Sequence, residues 1–415
     1  MTGHTNELAT RAVSEAELDT FFRAVFRAFG VDPSDDELAM ERITAEPERT
    51  IAVFDDDEIV ATAGAFTFAM TAPGGRSVPT AGVTFVGVRP THRRRGVLAG
   101  MMARQLHDVH DRGEPIAALW ASEAAIYGRF GYGLASQLLR VEVDRVDAGM
   151  RTDVADESGV HVRLVAPATV TDEIERIDKQ LTAQRPGSFG RDKRWIEMLV
   201  QDPQSRRQGR SSLQCFLAEE AGRATGYALY RTKGGNVHPY GLPDGEVAVG
   251  AQAALTPAAN TALTRSLLSL DLMRRVKWWN LPVDATLPHL LRDPRHVRTT
   301  LLDALHVRLV DLPAALVARR YLVPFDVVLD VSDALCPWND GRWHLVGGPD
   351  GATCERTDAA VQLTTPVESL GAAYLGGTSL ATLAATGRVS GDADTVAAVA
   401  TAFGSLTPPW CPTVF

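Results

Sequence analysis

Residues 83–133 read VTFVGVRPTHRRRGVLAGMMARQLHDVHDRGEPIAALWASEAAIYGRFGYG, and the fold is decided here. Val83, Phe85, Val86 and Val88 make a β-rich run that Pro90 ends. Thr91, His92, Arg93, Arg94, Arg95 and Gly96 form a turn. Val97, Leu98, Met101, Met102, Leu106 and Val109 then recur at helical spacing until Gly113 stops the helix. A second apolar run, Ile116–Trp120, reads as the next parallel strand, which makes a βαβ unit.

Such a turn can bind an anion. A helix N-terminus presents unpaired backbone N–H groups and the positive end of its dipole. Gly96 allows close backbone approach, and three arginines add donors suited to phosphate oxygens. Together these suit a pyrophosphate. The plainer alternative is a solvated basic turn. Nucleic acid is disfavoured, because three arginines in an acidic chain make no extended basic stripe.

The chain has 415 residues, 45% hydrophobic and 22% charged, which fits two or three packed domains and excludes a disordered chain. Its net charge of −9 disfavours nucleic acid and anionic membrane and favours cationic substrates. Cys215, Cys336, Cys354 and Cys411 are scattered without a C-x-x-C, so buried free thiols are expected. The opening MTGHTNELATR has no signal-peptide core, and no apolar run reaches the ~20 residues of a membrane span. A cytoplasmic protein is expected.

Ser14 and Glu17 form a capping box for a helix whose face carries Leu18, Phe21, Phe22, Val25, Phe26 and Phe29. That aromatic stripe reads as core, with an acceptor-pocket lining as the second reading. A short helix at 35–37 onward, a hairpin over 50–70 and a strand at 137–146 complete a first domain ending near residue 150. A strand at 162–167, a helix at 171–184, a hairpin over 213–231, a strand at 246–255, a helix at 256–274 and a strand at 276–280 repeat that order. The repeat has neither the arginine cluster nor the glycine at its turn, where the chain reads LTPAANTALTR. After about residue 300, short strands at 307–309, 325–331, 341–346, 352–356 and 359–364 precede helices at 366–375, 379–385 and 392–403. His107 and His110 read as a solvated helix face, His92 as a possible phosphate contact, and Trp195, Trp278 and Trp279 as packing.

Arg93-x-x-Gly96-x-Leu98 after a strand resembles the pyrophosphate loop of GNAT acetyltransferases, with Leu98 at a position that is small in that loop. With VGVRPTHRRRG, SEAAIYGRFGYG and the final Phe415, the chain resembles the enhanced intracellular survival (Eis) family along its whole length. The resemblance implies an α+β chain of three domains: a GNAT acetyltransferase domain at 1–150, a central degenerate GNAT-like domain at 151–298 and a sterol carrier protein-like domain at 299–415. It also implies acetyl-CoA as co-substrate without a metal, a homohexamer, and acceptors that are amines of aminoglycosides or lysine side chains.

Acetyl transfer from a thioester to an amine needs a polarised carbonyl, a protonated leaving thiolate and a deprotonated amine. By resemblance, the backbone of Val86, Gly87 and Val88 polarises the carbonyl. Arg93, Arg94, Arg95, Gly96, Val97, Leu98 and Ala99 hold the pyrophosphate, and Ser122 and Glu123 touch coenzyme A. From the residues alone Gly87 marks a bulge, a close approach or a merely weakened strand. Either Tyr127 or Tyr132 could protonate a thiolate, since a phenol near pKa ~10 is protonated at neutral pH. The family's general acid matches Tyr127. Its base matches the terminal carboxylate, here of Phe415 behind Pro408, Pro409 and Pro412, against the default of a frayed tail. Two other classes stay open: a lipid carrier built on the C-terminal domain, and an acetyl-CoA sensor without transfer.

Overall fold

The computed structural model describes residues 8–145, 148–235 and 243–415. They form two compact units, one comprising the chain up to Ser136 with Ala304–Pro409 and Val414–Phe415, the other Gln137–Asp303 with Trp410–Thr413.

The first unit contains β1 (Ala9–Arg11), β2 (Ile51–Asp55), β3 (Glu58–Thr71), β4 (Ser77–Val88), β5 (Ile116–Trp120) and β6 (Gly133–Leu134). Its helices are α1 (Leu18–Ala28), α2 (Asp35–Thr44) and α3 (Val97–Asp111). The capping box forms as the sequence predicts: the Glu17 carboxylate accepts from the Ser14 backbone N–H at 2.9 Å. It sets the angle at which α1 buries Phe21, Phe22 and Val25. The Phe21 and Phe22 rings meet Phe85 edge-on, with centroids 6.0 and 5.3 Å away. α3 lies on the other face and packs Met102, Leu106 and Val109 with Ala81, Val83, Ala117 and Leu119.

Two features of β4 shape the site. Its antiparallel ladder with β3 slips, with Gly87 opposite Thr62 but Thr84 opposite Gly64. β4 therefore carries one extra residue, and Phe85 takes up the bulge in the left-handed region at φ 58°. On its other side the parallel ladder with β5 runs only from Thr80–Ile116 to Val83–Leu119. Beyond Val83 the two strands part.

The second unit contains β7 (Gln137–Asp144), β8 (Val160–Val165), β9 (Gln214–Glu220), β10 (Arg223–Lys233), β11 (Gly245–Ala254), β12 (Met273–Leu281) and β13 (Val297–Asp303). Their order is β13-β7-β12-β11-β10-β9-β8. α4 (Thr171–Thr182), α5 (Lys193–Val200), α6 (Pro257–Leu268) and the short α7 (Leu287–Leu290) complete it. Trp410 and Cys411 are tied down in this unit. Trp410 Nε1 donates to Asn280 Oδ1 at 2.7 Å, and Asn280 Nδ2 donates to the Cys411 carbonyl at 3.0 Å.

Back in the first unit, β14 (Leu305–Leu309) lies between β5 and β6 in the first sheet. α8 (Leu312–Ala318) leads to a second sheet of β15 (Phe325–Ser332), β16 (Gly341–Gly348), β17 (Gly351–Arg356), β18 (Leu363–Pro366) and β19 (Ser390–Gly391). α9 (Val367–Ala373), α10 (Leu380–Ala385) and α11 (Ala393–Phe403) close the chain's last part. A buried ion pair binds this part to the first sheet: Arg308 Nη2 donates to Asp333 Oδ1 at 2.6 Å, and neither residue is more than 5% exposed.

Several expectations are corrected. The strand at 137–146 was expected to finish the first domain, but β7 pairs with β12 and β13 in the second sheet, and Val146 lies outside the described residues. The strand at 307–309 was expected among the C-terminal strands, but β14 takes the place beside β5. Both strands are apolar runs of ordinary length, and period alone does not name their partners. The helix at 256–274 stops at Leu268, because Leu272 at φ 62° turns the chain into β12. The strand at 359–364 shifts to β18, which takes only Leu363 and Thr364 of the expected run. All four cysteines are buried free thiols.

Candidate active site

The phosphate loop begins where β4 ends. Pro90–His92 makes one 3-10 turn, and the ring of His92 is held inside it. His92 Nε2 lies 3.1 Å from Asp55 Oδ2, and Nδ1 lies 2.9 Å from Thr91 Oγ1. The imidazole thus braces the turn and is buried, rather than offered to a phosphate. Arg94 at φ 61° and Gly96 at φ 79° then adopt left-handed backbones, and Gly96 caps α3. Left-handed residues in a turn aim successive N–H groups into one concavity that accepts an anion. A Cβ at Gly96 or Gly100 would meet no atom within 4 Å, so the first turn of α3 faces open space. Arg93, Arg94 and Arg95 are exposed around it. Arg93 Nε bonds the Val88 carbonyl at 3.3 Å, and among the described residues Arg94 and Arg95 form no ion pair. Val97 and Leu98 are half-buried and Ala99 exposed, so the side chain of Leu98 turns toward the core instead of filling the loop. This donor set fits the pyrophosphate of coenzyme A.

Val86, Gly87 and Val88 occupy the part of β4 beyond the bulge, with β3 on one side and no β5 partner on the other. A Cβ at Gly87 would come within 2.7 Å of the Ala28 Cβ, so this glycine exists for the close passage of α1. The bulge that Gly87 suggested is centred instead on Phe85, a residue type that gives no such signal.

Ser122 and Glu123 are exposed just after β5, and 3-10 turns at Ala124–Ile126 and Gly128–Phe130 follow. Gly131 then turns at φ 84°, and a Cβ there would strike Arg308 Nε at 2.6 Å. The turn is thus seated on the Arg308–Asp333 pair. Tyr127 joins Ala65, Ala81, Val83 and Met102 in one apolar cluster bordered by Val86 and Leu98, beside the parting strands. Burial, and secondly the Glu123 carboxylate, push its phenol above the ordinary value. Its hydroxyl has no hydrogen-bond partner among the described residues. Tyr132, with its ring 6.0 Å away, is 1% exposed and its hydroxyl is enclosed without a partner. Burial pushes that phenol higher still. The two tyrosines, equivalent in sequence, differ in access: Tyr132 is sealed in the core.

Phe415 is packed, not frayed. Its ring lies 5.0 Å from Phe68 and 6.4 Å from Phe66, and a Cβ at Gly82 would touch it at 3.1 Å. Gly82 and Phe66 alternate with Val83 and Ala65, which face Tyr127, so the two rings lie on opposite faces of the same sheet. His107 and His110, read as solvated, flank the Trp338 ring with centroids 5.0 and 4.2 Å away.

Comparison with known proteins agrees with this geometry. Residues 9–135 and 187–309 each match an acetyltransferase (GNAT) domain family, and residues 312–412 match the sterol carrier protein domain. An N-acetyltransferase of Streptomyces avermitilis is 45% identical over 97% of this chain and 98% of its own. N-acetyltransferase Eis of Mycobacterium tuberculosis is 38% identical over 85% of this chain and 84% of its own. The chain belongs to the Eis family of N-acetyltransferases. The crystal structure of Eis1 from Mycobacterium abscessus superposes with a TM-score of 0.83 at 30% identity, covering 98% of this chain and all of that one. As an Eis-family GNAT enzyme it is an acetyltransferase, and GNAT acetyltransferases use acetyl-CoA.

The second GNAT domain of this Eis-family chain shows why one loop, and not two, is furnished for the cofactor. The N-terminus of α6 is already satisfied. Thr256 Oγ1 accepts from Ala259 N–H, Pro257 removes a donor, and Thr256 also bonds the Glu220 carboxylate, which would repel a phosphate. The parting of β11 from β12 is bridged as well. Trp279 Nε1 donates to the Gly250 carbonyl at 2.8 Å and Trp278 Nε1 to Gln252 Oε1 at 2.9 Å. No helix among the described residues is long and apolar enough to cross a membrane.

Proposed function

We propose that the enzyme acetylates amines of polycationic small molecules of the aminoglycoside kind, or lysine side chains, at the gap between β4 and β5. The observation that carries this reading is the bulge at Phe85. It turns β4 away from β5 beside an open anion-binding loop, with Tyr127 on the near wall. Backbone N–H groups of Val86 and Val88, on the side of β4 away from β3, polarise the thioester carbonyl. The acceptor amine forms a C–N bond as the C–S bond breaks, and Tyr127 gives its proton to the departing sulfur. The carboxylate of Phe415, approaching from the opposite face of the sheet, takes the proton the amine loses. The net charge of −9 draws cationic acceptors. On family resemblance we also propose a cytoplasmic location and a homohexamer; light scattering on the purified protein checks the hexamer, and cell fractionation the location.

The experiment is a screen of amines for coenzyme A release. Release with polycationic amines, and none without an acceptor, supports transfer. Coenzyme A binding with no release from any amine would leave a sensor instead.

A further inference from the structure

The second unit holds a cavity that the acetyl-transfer chemistry does not use. Its volume is about 560 Å³, inside the ~300–1,000 Å³ of small-molecule sites. Six cations line it, Arg140, Arg206, Arg210, Arg231, Lys277 and Arg298, against two carboxylates, Glu142 and Glu246. That excess is unusual in a chain of net charge −9.

Strand alternation gathers these charges. Arg140 and Glu142 on β7, Lys277 and Trp279 on β12, and Glu246 on β11 line the cavity, whereas Val143, Val276 and Val247 of the same strands are buried in the core. The two carboxylates hold three of the cations in place without neutralising them. Glu246 lies 2.6 Å from Lys277 Nζ and 3.1 Å from Arg210 Nη2. Glu142 lies 3.5 Å from Lys277 Nζ and 3.4 Å from Arg298 Nη1. Arg231 turns to Asp202. Arg140 is exposed and forms no ion pair among the described residues. Arg210 Nε is buried with no acceptor. A rigid ring stands beside them: Trp279 is 38% exposed while its Nε1 is fixed to Gly250.

Fixed cations with unspent donors, next to an anchored indole, match one chemistry: several phosphates joined to a planar base. We propose that this cavity binds a nucleoside polyphosphate. Arg140 and Arg298 meet the phosphates with forked donors, Arg210, whose Nη atoms bond Gln208 and Glu246, adds positive charge behind them, and Trp279 supports the base. The site is independent of acetyl transfer and of the loop at Gly96.

The test is calorimetric titration of ATP, tripolyphosphate and adenosine. Gly96→Asp serves as the background, so that the first domain's loop does not contribute. A second protein adds Arg140→Ala and Arg298→Ala, both at exposed positions, and matching circular dichroism melts verify that it folds. The expected result is one ATP per chain, at least tenfold weaker after the two arginine substitutions and weaker at higher salt. Tripolyphosphate should bind less tightly than ATP, and adenosine less tightly than either. Absence of ATP binding, or ATP affinity unchanged by the arginine substitutions, overturns the proposal. Tripolyphosphate binding as tightly as ATP overturns the role given to Trp279.

Discussion

Replacing each tyrosine of the 127–132 turn by phenylalanine should separate chemistry from packing. Tyr127→Phe keeps the ring in its cluster with Val83 and Met102 and removes only the hydroxyl, which bonds no described residue. Stability should therefore stay within ~0.5 kcal/mol of the parent, as for substitutions that break no packing, cap or hydrogen bond. The catalytic loss should be large. A general acid contributes about 10²–10⁴-fold, or about 2.7–5.4 kcal/mol of transition-state stabilisation. The fall should appear in kcat, with coenzyme A affinity unchanged. Tyr132→Phe should do the opposite. Its hydroxyl is buried without a partner, and an unsatisfied buried polar group costs about 1–3 kcal/mol. Removing it should hold or raise stability and leave kcat within a few-fold. Steady-state kinetics with thiol detection, paired with chemical denaturation, reads both. A Tyr132→Phe enzyme with the larger loss in kcat would refute the assignment.

The other expectations follow from the same geometry. Gly96→Asp meets no atom with its Cβ and should keep the fold at a cost of about 1–2 kcal/mol for a side chain on a left-handed backbone, but should abolish coenzyme A binding in calorimetry by setting a carboxylate against the pyrophosphate. The phenol of Tyr127 is raised, first by burial and then by Glu123, so its protonated form persists below its folded pKa and is lost only as pH rises through it. The alkaline limb of kcat should therefore lie above the ordinary ~10, and Glu123→Gln should move it down. One glycine added after Phe415 shifts the carboxylate by up to ~3.6 Å while the ring keeps its place against Phe68. Acetylation should drop by about 10²-fold or more with coenzyme A binding intact, and wild-type kcat/KM would remove the carboxylate as base. Arg308→Leu strips the buried partner of Asp333 and should cost about 3–5 kcal/mol by denaturant titration.

Much of this was legible in the sequence because it rests on local rules. The capping box at Ser14 and Glu17, the apolar period of α3 and the arginines before Gly96 each fix one element without reference to the rest of the chain. The repeat of elements after residue 160 showed a second domain, and its furnishing at Thr256 and Pro257 explains the missing loop chemistry. What stayed hidden is non-local. Nothing in 137–144 says that it pairs with β12, nor in 305–309 that it pairs with β5. α5, with only eight residues, and α8, which opens on Leu312-Pro313, give too little period to be recognised. Gly87 points to a bulge, but the left-handed backbone falls at Phe85, which packs against Phe21 and Phe22 from a distant helix. The half-exposed place of Trp279, expected as packing, is non-local too, because its neighbours across the second sheet are spread over more than 150 residues of sequence.

The central claim is that the gap between β4 and β5 carries acetyl from coenzyme A to an amine with Tyr127 as acid. The most direct measurement follows one reaction two ways, free thiol by colorimetry and acceptor mass by mass spectrometry, using acetyl-CoA and a polycationic amine. The account predicts one thiol released for each acetyl gained by the acceptor, with both rates lost together in Tyr127→Phe. Thiol release without an acetylated acceptor, or a Tyr127→Phe enzyme that acetylates at the wild-type rate, would contradict it.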